Sequence, residues 1–112
     1  MKSESPLSPA TRDALALLGG LIEEGRLRRD WSRDELAERL GVSLVTLRRL
    51  VRGDPRVAAG TFFEAATLVG VPLFDTANAP DLGRLRHQQD ERLALLPARV
   101  RHGPPEALDD DF

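Results

Sequence analysis

Residues 32–53, SRDELAERLGVSLVTLRRLVRG, place two short amphipathic runs on either side of a single glycine, Gly41. A packed pair of helices needs apolar side chains at the fourth, eighth, tenth, fifteenth and eighteenth positions, counted from Arg33. The residues at these positions are Leu36, Leu40, Val42, Leu47 and Leu50. The fifth position must be small where the helices cross, and the ninth must accept a positive φ; they are Ala37 and Gly41. All seven positions agree, so the sequence predicts a helix-turn-helix unit.

The same stretch carries signals that start and stop both helices. Ser32 and Glu35 have the spacing of a capping box, which would begin the first helix. Gly41 supplies the left-handed residue that ends it. Ser43 is a residue type that caps a helix, and the second helix is expected to run from there to about Arg52.

The charge of the chain is concentrated by position. Residues 26–56 hold nine arginines against five acids, a net charge of +4, while residues 1–25 and 57–112 carry −2 and −4. Between Ser43 and Arg52 the only ionisable residues are Arg48, Arg49 and Arg52. The overall net charge of −2 therefore hides a basic centre between acidic flanks, a pattern that favours a nucleic-acid partner.

This pattern has a physical reason if the second helix lies in the major groove of operator DNA, with its N-terminal residues at base edges. An acidic side chain there would face phosphates. Arginine can reach guanine edges or phosphates, and apolar side chains can pack on thymine methyl groups. The start of the preceding helix is suited to phosphate contacts, whereas Arg52 and Arg56 are expected to touch phosphates only. The candidate DNA-binding residues are Ser32, Arg33, Ser43, Leu44, Val45, Thr46, Arg48, Arg49 and Arg52.

Helical spacing continues on both sides of this unit. Residues 1–9 are expected to form a flexible arm, and a helix is predicted from about Ala10 to Arg29. Its apolar positions are Ala14, Leu17, Leu18, Leu21 and Ile22, with Gly19, Gly20 and Gly25 permitting close packing. A further helix is predicted from about Thr61 to Val69. Its inward side chains are expected to be Phe62, Ala65, Ala66 and Val69. Residues 10–70 would thus form one DNA-binding domain.

The sequence after this domain predicts a dimerisation region at residues 71–97. The run VPLFDTA indicates a short strand, on a sheet edge because of Pro72, and Asp81 is expected to cap a helix to about Leu96. Neither segment has an obvious apolar partner within the chain, so pairing with a second copy is predicted; the alternative is that the last helix folds back over its own core. The candidate dimerisation residues are Val71, Leu73, Phe74, Leu82, Leu85, Leu93 and Leu96. Residues 98–112 are expected to form an extended tail. The predicted fold class is all-α, with five helices and one short strand pairing across a homodimer.

Composition excludes several other classes of function. The chain has no cysteine, so it can form neither disulfides nor thiolate metal sites, and its two histidines lie far apart in sequence. No cofactor, metal site or catalytic residue is predicted, because no histidine and carboxylate pair occurs at helical spacing on a plausible cleft. The longest apolar run, nine residues, is too short to span a bilayer, and the N-terminus lacks the regions of a signal peptide. A cytoplasmic, nucleoid-associated protein is expected.

The stretch from Ser32 to Gly53 resembles the Xre/Cro-type helix-turn-helix family, whose consensus has the form SQEELAERLGVS…TLRRLERG. The resemblance covers roughly residues 17–71 and implies a lambda-repressor-like fold that binds operator DNA. Arg33 stands where the family usually has glutamine, and Val51 where it usually has glutamate. Because of the first departure, the phosphate or base contact usually made by that glutamine does not carry over directly to this chain. The second departure removes a charge interaction that commonly helps to hold the helix.

The segments VGVPLFDTANAP, RLALLPARVR and DDDF are similar to HipB-type regulators, the antitoxins of HipA-type kinases. This resemblance implies an intersubunit sheet, a HipA-like kinase partner and autoregulation of the operon. Two other interpretations remain. The protein could be a stand-alone Xre regulator without a toxin, or a helical protein-interaction adaptor that has lost contact with DNA. The basic second helix argues against the adaptor.

Overall fold

The structure, a computed structural model, describes residues 6–76 and 79–98. It contains five α-helices and confirms the all-α class. They are α1 (Pro9–Arg28), α2 (Arg33–Leu40), α3 (Leu44–Val51), α4 (Ala59–Val69) and α5 (Ala79–Ala94). The chain divides into two compact units, Met1–Ala79 and Pro80–Phe112. Residues 1–5 of the predicted arm (1–9) and residues 99–112 of the predicted tail (98–112) lie outside the described residues. Pro9, which was assigned to the arm, is the first residue of α1.

The core of the first unit is built from all four of its helices. Helix α1 packs on α3 and α4, and α2 packs on the same two helices. The nine buried apolar residues are Ile22, Leu36, Ala37, Leu47, Leu50, Phe62, Ala65, Ala66 and Val69. The four inward residues predicted for α4 are all among them. Burial of this set removes apolar surface from water and is the main force that holds the helix-turn-helix unit against α1 and α4.

Helices α2 and α3 have the predicted ends. The Ser32 hydroxyl accepts a hydrogen bond from the Glu35 N–H at 3.0 Å, and the Ser32 N–H donates to the Glu35 carboxylate at 2.7 Å. This reciprocal pair confirms the capping box. Gly41 follows α2 with φ 72°, and the Ser43 hydroxyl accepts from the Thr46 N–H at 3.1 Å at the start of α3. Since each cap uses residues no more than three apart, local sequence was enough to predict them.

The buried face of α1 differs from the apolar spacing in the sequence. Gly19 and Ile22 are buried, whereas Leu17 and Leu21 are 64% and 39% exposed. Leu18 is half-buried against the core. Gly19 lies on the buried face because the backbone of α1 approaches the last turn of α3 there: a Cβ built on Gly19 would lie 2.6 Å from the carbonyl oxygens of Leu50 and Val51. A larger residue would prevent this approach, and so the glycine sets the rotation of the helix.

Gly19 and Gly20 are neighbours in α1 for which opposite effects on stability are expected. A Cβ on Gly20 meets nothing within 4 Å, so Gly20→Ala should stabilise the protein by about 0.5–1 kcal/mol through helix propensity. Gly19→Ala should destabilise it by about 1–3 kcal/mol, because the backbone of α3 must move. Urea unfolding of both variants would measure the difference. Equal effects would contradict the close approach of α1 to α3.

The strand predicted after α4 is not formed in the described residues. Leu73 and Thr76 instead make an isolated bridge, and Phe74 and Asp75 between them have φ 54° and 64°. The Leu73 carbonyl accepts from the Thr76 N–H at 3.0 Å and from its hydroxyl at 2.7 Å. A strand needs negative φ throughout, whereas the positive φ of Phe74 and Asp75 reverses the chain in a tight turn, and Leu73 packs against the core. Pairing of this segment across a dimer remains a prediction.

Helix α5 begins three residues before Leu82, the first residue after the predicted cap, and ends two residues before the predicted end at Leu96. Asp81 lies in its first turn and is not its cap; the carboxylate pairs with Arg84 at 2.7 Å. Pro80 is compatible with this start, because the first turn of a helix does not need its N–H. Leu82 and Leu85 are half-buried, while Leu93 and Leu96 are exposed, and Leu96 lies beyond the helix. None of the described helices is long and apolar enough to cross a membrane.

Candidate nucleic-acid interface

Helix α3 presents a face to solvent that carries no acidic residue. Leu47 and Leu50 point into the core. Three residues spaced three and four apart lie on the opposite side of the helix: Val45, Arg48 and Arg52. Val45 is 52% exposed, and both arginines are exposed. An exposed apolar side chain between two guanidinium groups can present a methyl contact and cationic donors to the same ligand. We call these three residues the outward face of α3.

The other predicted residues of α3 are more involved in the fold. Leu44 is half-buried and packs against the core, which leaves Val45 as the exposed apolar residue of this helix. The Ser43 hydroxyl donates to the Thr46 hydroxyl at 3.1 Å, so both side chains already take part in the helix cap. Arg49 is half-buried. The nine predicted contacts are therefore not equivalent, and the outward face of α3 has the greatest freedom to meet a ligand.

Most arginines of the basic centre have partners within the protein. Arg56 donates to the Asp54 carboxylate through its backbone N–H at 2.9 Å and through Nη2 at 2.7 Å. These hydrogen bonds from Arg56 hold the pKa of Asp54 well below its usual value. By contrast, the side chains of Arg48 and Arg52 make no ion pair or hydrogen bond with any of the residues the structure describes. Their charge is available to an external anion.

Two further arginines, Arg29 and Arg39, make cation–π contacts with the ring of Trp31. The guanidinium carbon of Arg39 lies 4.1 Å from the centre of the Trp31 ring, and that of Arg29 lies 5.7 Å away. Arg29 also donates to the carbonyl of Val69, at the end of α4. Trp31 itself is half-buried against the core. Two of the nine arginines in the basic centre thus stabilise the fold through cation–π contacts.

The predicted phosphate contacts at the start of α2 adjoin an ion-pair cluster that the sequence analysis did not identify. Glu23 accepts from Arg26 Nε at 3.1 Å and from Arg26 Nη2 at 2.6 Å. The same carboxylate lies 3.3 Å from Nη2 of Arg33, which is half-exposed. Ser32 is exposed beside it. The Arg33 side chain is therefore partly exposed to solvent, while its Nη2 contacts the carboxylate of Glu23 on α1.

Burial distinguishes Arg26 from the other arginines. At 8% exposure it is the one charged residue that is buried among the residues described. Its hydrogen bonds lower the pKa of Glu23 and raise that of Arg26, and they outweigh the effect of burial on each. The three-residue spacing of Glu23 and Arg26 on a helix was the available signal in the sequence. Their burial depends on contacts with distant residues, and spacing alone could not indicate it.

Comparison with known protein families adds one finding. Residues 22–75 match the model of a helix-turn-helix family, HTH_3, which is of the Xre type. The matched residues include α2, α3 and α4 with the outward face of α3. No curated protein and no solved structure matches the chain. The family match supports a DNA-binding transcription regulator.

Proposed function

We propose that the protein is a transcriptional repressor that binds operator DNA as a homodimer, a proposal supported by the match of residues 22–75 to a helix-turn-helix family model of the Xre type. The observation that carries this proposal is the outward face of α3, where Arg48 and Arg52 are exposed beside Val45. A protein-interaction adaptor has no need for an exposed helix face with two arginines and no acid. A gel shift with duplex DNA separates the two interpretations, since the adaptor would not retard it.

In the proposed complex, α3 lies in the major groove. Arg48 would donate to guanine O6 and N7 or to a phosphate, and Val45 would pack on a thymine methyl group. Arg52, in the cap after α3, would contact the backbone. The free N–H groups at the start of α2, together with Ser32 and Arg33, would fix the domain on a phosphate. Base contacts would supply sequence preference, and phosphate contacts would set the register.

An exposed aromatic pair supports the homodimer. The Phe63 and Phe74 rings have centroids 6.4 Å apart at 51°, and the side chain of Phe74 is 73% exposed. Phe74 also has a left-handed backbone, which costs a bulky residue roughly 1–2 kcal/mol. A large aromatic held in solvent in a strained turn fits an interaction surface. A second copy is the occupant that operator binding requires, because two domains read half-sites roughly 34 Å apart.

The partner of this repressor would be a HipA-like kinase, with the protein acting as the antitoxin that represses its own operon. This part rests on the resemblance of VGVPLFDTANAP and RLALLPARVR to HipB-type regulators. A neighbouring reading frame that encodes a kinase would favour it, and co-purification after co-expression would test it directly. Operator binding without a kinase partner would instead indicate a stand-alone Xre regulator.

Arg48→Ala is expected to weaken operator binding by about 1–3 kcal/mol if Arg48 contacts a base edge, and to relax sequence preference. If it contacts a phosphate, the salt slope should fall by about one. Arg49→Ala should act in the same direction but less, since Arg49 is half-buried. Binding would be measured with a duplex that the wild-type protein selects from a random-sequence library.

Arg28→Ala is the matched control for these two variants, because Arg28 is exposed on α1 and pairs with Glu24. It removes the same charge and should change binding little. Normal circular dichroism together with unchanged affinity in both α3 variants would show that the groove assignment is wrong.

A further inference from the structure

The buried guanidinium group of Arg26 holds the turn between α1 and α2 through a hydrogen bond to the backbone of Trp31. Arg26 Nη1 donates to the Trp31 carbonyl at 2.6 Å, and the Arg26 carbonyl accepts from the Trp31 N–H at 3.2 Å. Trp31 immediately precedes Ser32, the N-cap of α2. Arg26 therefore sets the direction in which α2 leaves the corner, and Glu23 holds Arg26 with two hydrogen bonds.

The carboxylate of Glu23 also contacts an arginine at the protein surface, Arg33. Oε2 of Glu23 accepts from Nη2 of Arg26 at 2.6 Å and from Nη2 of Arg33 at 3.3 Å. The side chain of Glu23 is 22% exposed and that of Arg33 is 49% exposed. The longer contact leaves most donors of the Arg33 guanidinium available to solvent. One carboxylate thus links the buried corner to an exposed cation in the first turn of α2.

We propose that Glu23 is a positioning residue for DNA binding, which orients the Arg33 guanidinium group toward a backbone phosphate. The inference rests on the proposed function and adds a residue of α1 to its machinery. A free arginine loses side-chain entropy when a ligand orders it. Since Glu23 already restricts the Arg33 side chain in the free protein, part of this entropy is lost on folding and less is lost when DNA binds.

The sign of the effect separates positioning from simple electrostatics. Glu23→Gln removes a negative charge near the proposed phosphate contact, so long-range electrostatics alone would strengthen DNA binding. Positioning has the opposite consequence: glutamine can still accept from Arg26, but it holds Arg33 weakly, and binding should weaken. Glu24→Gln is the matched control, because Glu24 is the next residue, carries the same charge and pairs with exposed Arg28.

The experiment measures binding of the full chain to the duplex selected by the wild-type protein, at several salt concentrations and at a temperature where circular dichroism shows every variant folded. We expect Glu23→Gln to weaken binding about three- to tenfold and Glu24→Gln to leave it equal or tighter. In an Arg33→Ala background, Glu23→Gln should change binding less than about twofold, because the oriented group is gone. A purely structural role of Glu23 would give the same loss with and without Arg33.

Two results would overturn the proposal: Glu23→Gln binding as tightly as Glu24→Gln, or an undiminished loss in the Arg33→Ala background. If Glu23→Gln does not fold, Glu23→Asp takes its place, because the shorter side chain keeps the charge but cannot reach both arginines. The same two criteria then apply. Failure of the wild type and of Glu24→Gln to bind any duplex would instead refute the proposed function, and this inference with it.

Discussion

If the protein is the proposed homodimer, Phe74→Asp is expected to make it a monomer and to weaken operator binding about a hundredfold or more. The side chain is 73% exposed and contacts Phe63, so a charge there would be buried without a partner in the proposed two-fold interface. Loss of the second domain removes the gain from bivalent binding, which is typically on the order of 10²–10⁴. Sedimentation and a gel shift measure the two effects.

Phe74 is a better site for this test than Leu73. Leu73 was predicted to lie in the same interface, but it packs against the protein's own core, and an aspartate there would disturb the fold itself. Leu27→Asp provides the matched control, since Leu27 is 60% exposed on α1 and has no predicted role in dimerisation. A wild-type protein that sediments as a monomer at micromolar concentration, or a dimeric Phe74→Asp variant, would contradict the assignment.

Gly53→Ala is expected to destabilise the protein by about 2–5 kcal/mol. Gly53 has φ 76°, and a Cβ there would lie 2.6 Å from the backbone nitrogen of Ala16. A left-handed alanine costs roughly 1–2 kcal/mol, and overpacking against backbone adds about 1–3 kcal/mol. DNA binding should fall because the folded population falls, and not through lost contacts. Urea unfolding gives the free energy of unfolding for each variant.

Gly41→Ala isolates the backbone part of this effect. Gly41 has nearly the same φ, 72°, but a Cβ there meets nothing within 4 Å. The expected cost is about 1 kcal/mol, and a β-branched residue at Gly41 should cost at least as much. Equal destabilisation at the two glycines would show that the contact of Gly53 with α1 contributes nothing. An unaltered melting temperature for Gly41→Val would refute the left-handed turn.

The sequence was sufficient for the helix-turn-helix unit because its determinants lie close together. The hydroxyl of Ser32 and the carboxylate of Glu35 are three residues apart, and the left-handed turn needs only Gly41. The apolar positions of α2 and α3 repeat at helical spacing, so local chemistry and the burial pattern give the same answer. The outward face of α3 followed from this register: once Leu47 and Leu50 are inside, Arg48 must face away.

The tertiary structure decided the features that depend on residues distant in sequence. Helix α1 has leucines on several of its faces, and the choice of the buried one came from the fit of Gly19 to the last turn of α3. The apolar run after α4 suits a strand, but Leu73 packs on the core and the positive φ of Phe74 and Asp75 forms a turn, so strand propensity yields to context here.

The roles of the arginines were likewise decided in three dimensions. Composition gives the number of arginines and the net charge of the chain, but neither quantity shows which groups each arginine contacts. Folding placed Arg26 inside beside Glu23 and left Arg48 exposed, because only the packed helices determine which carboxylate, carbonyl or ring lies within reach of each guanidinium. Arg48 makes no ion pair or hydrogen bond with the described residues, so its guanidinium group remains available to an external ligand.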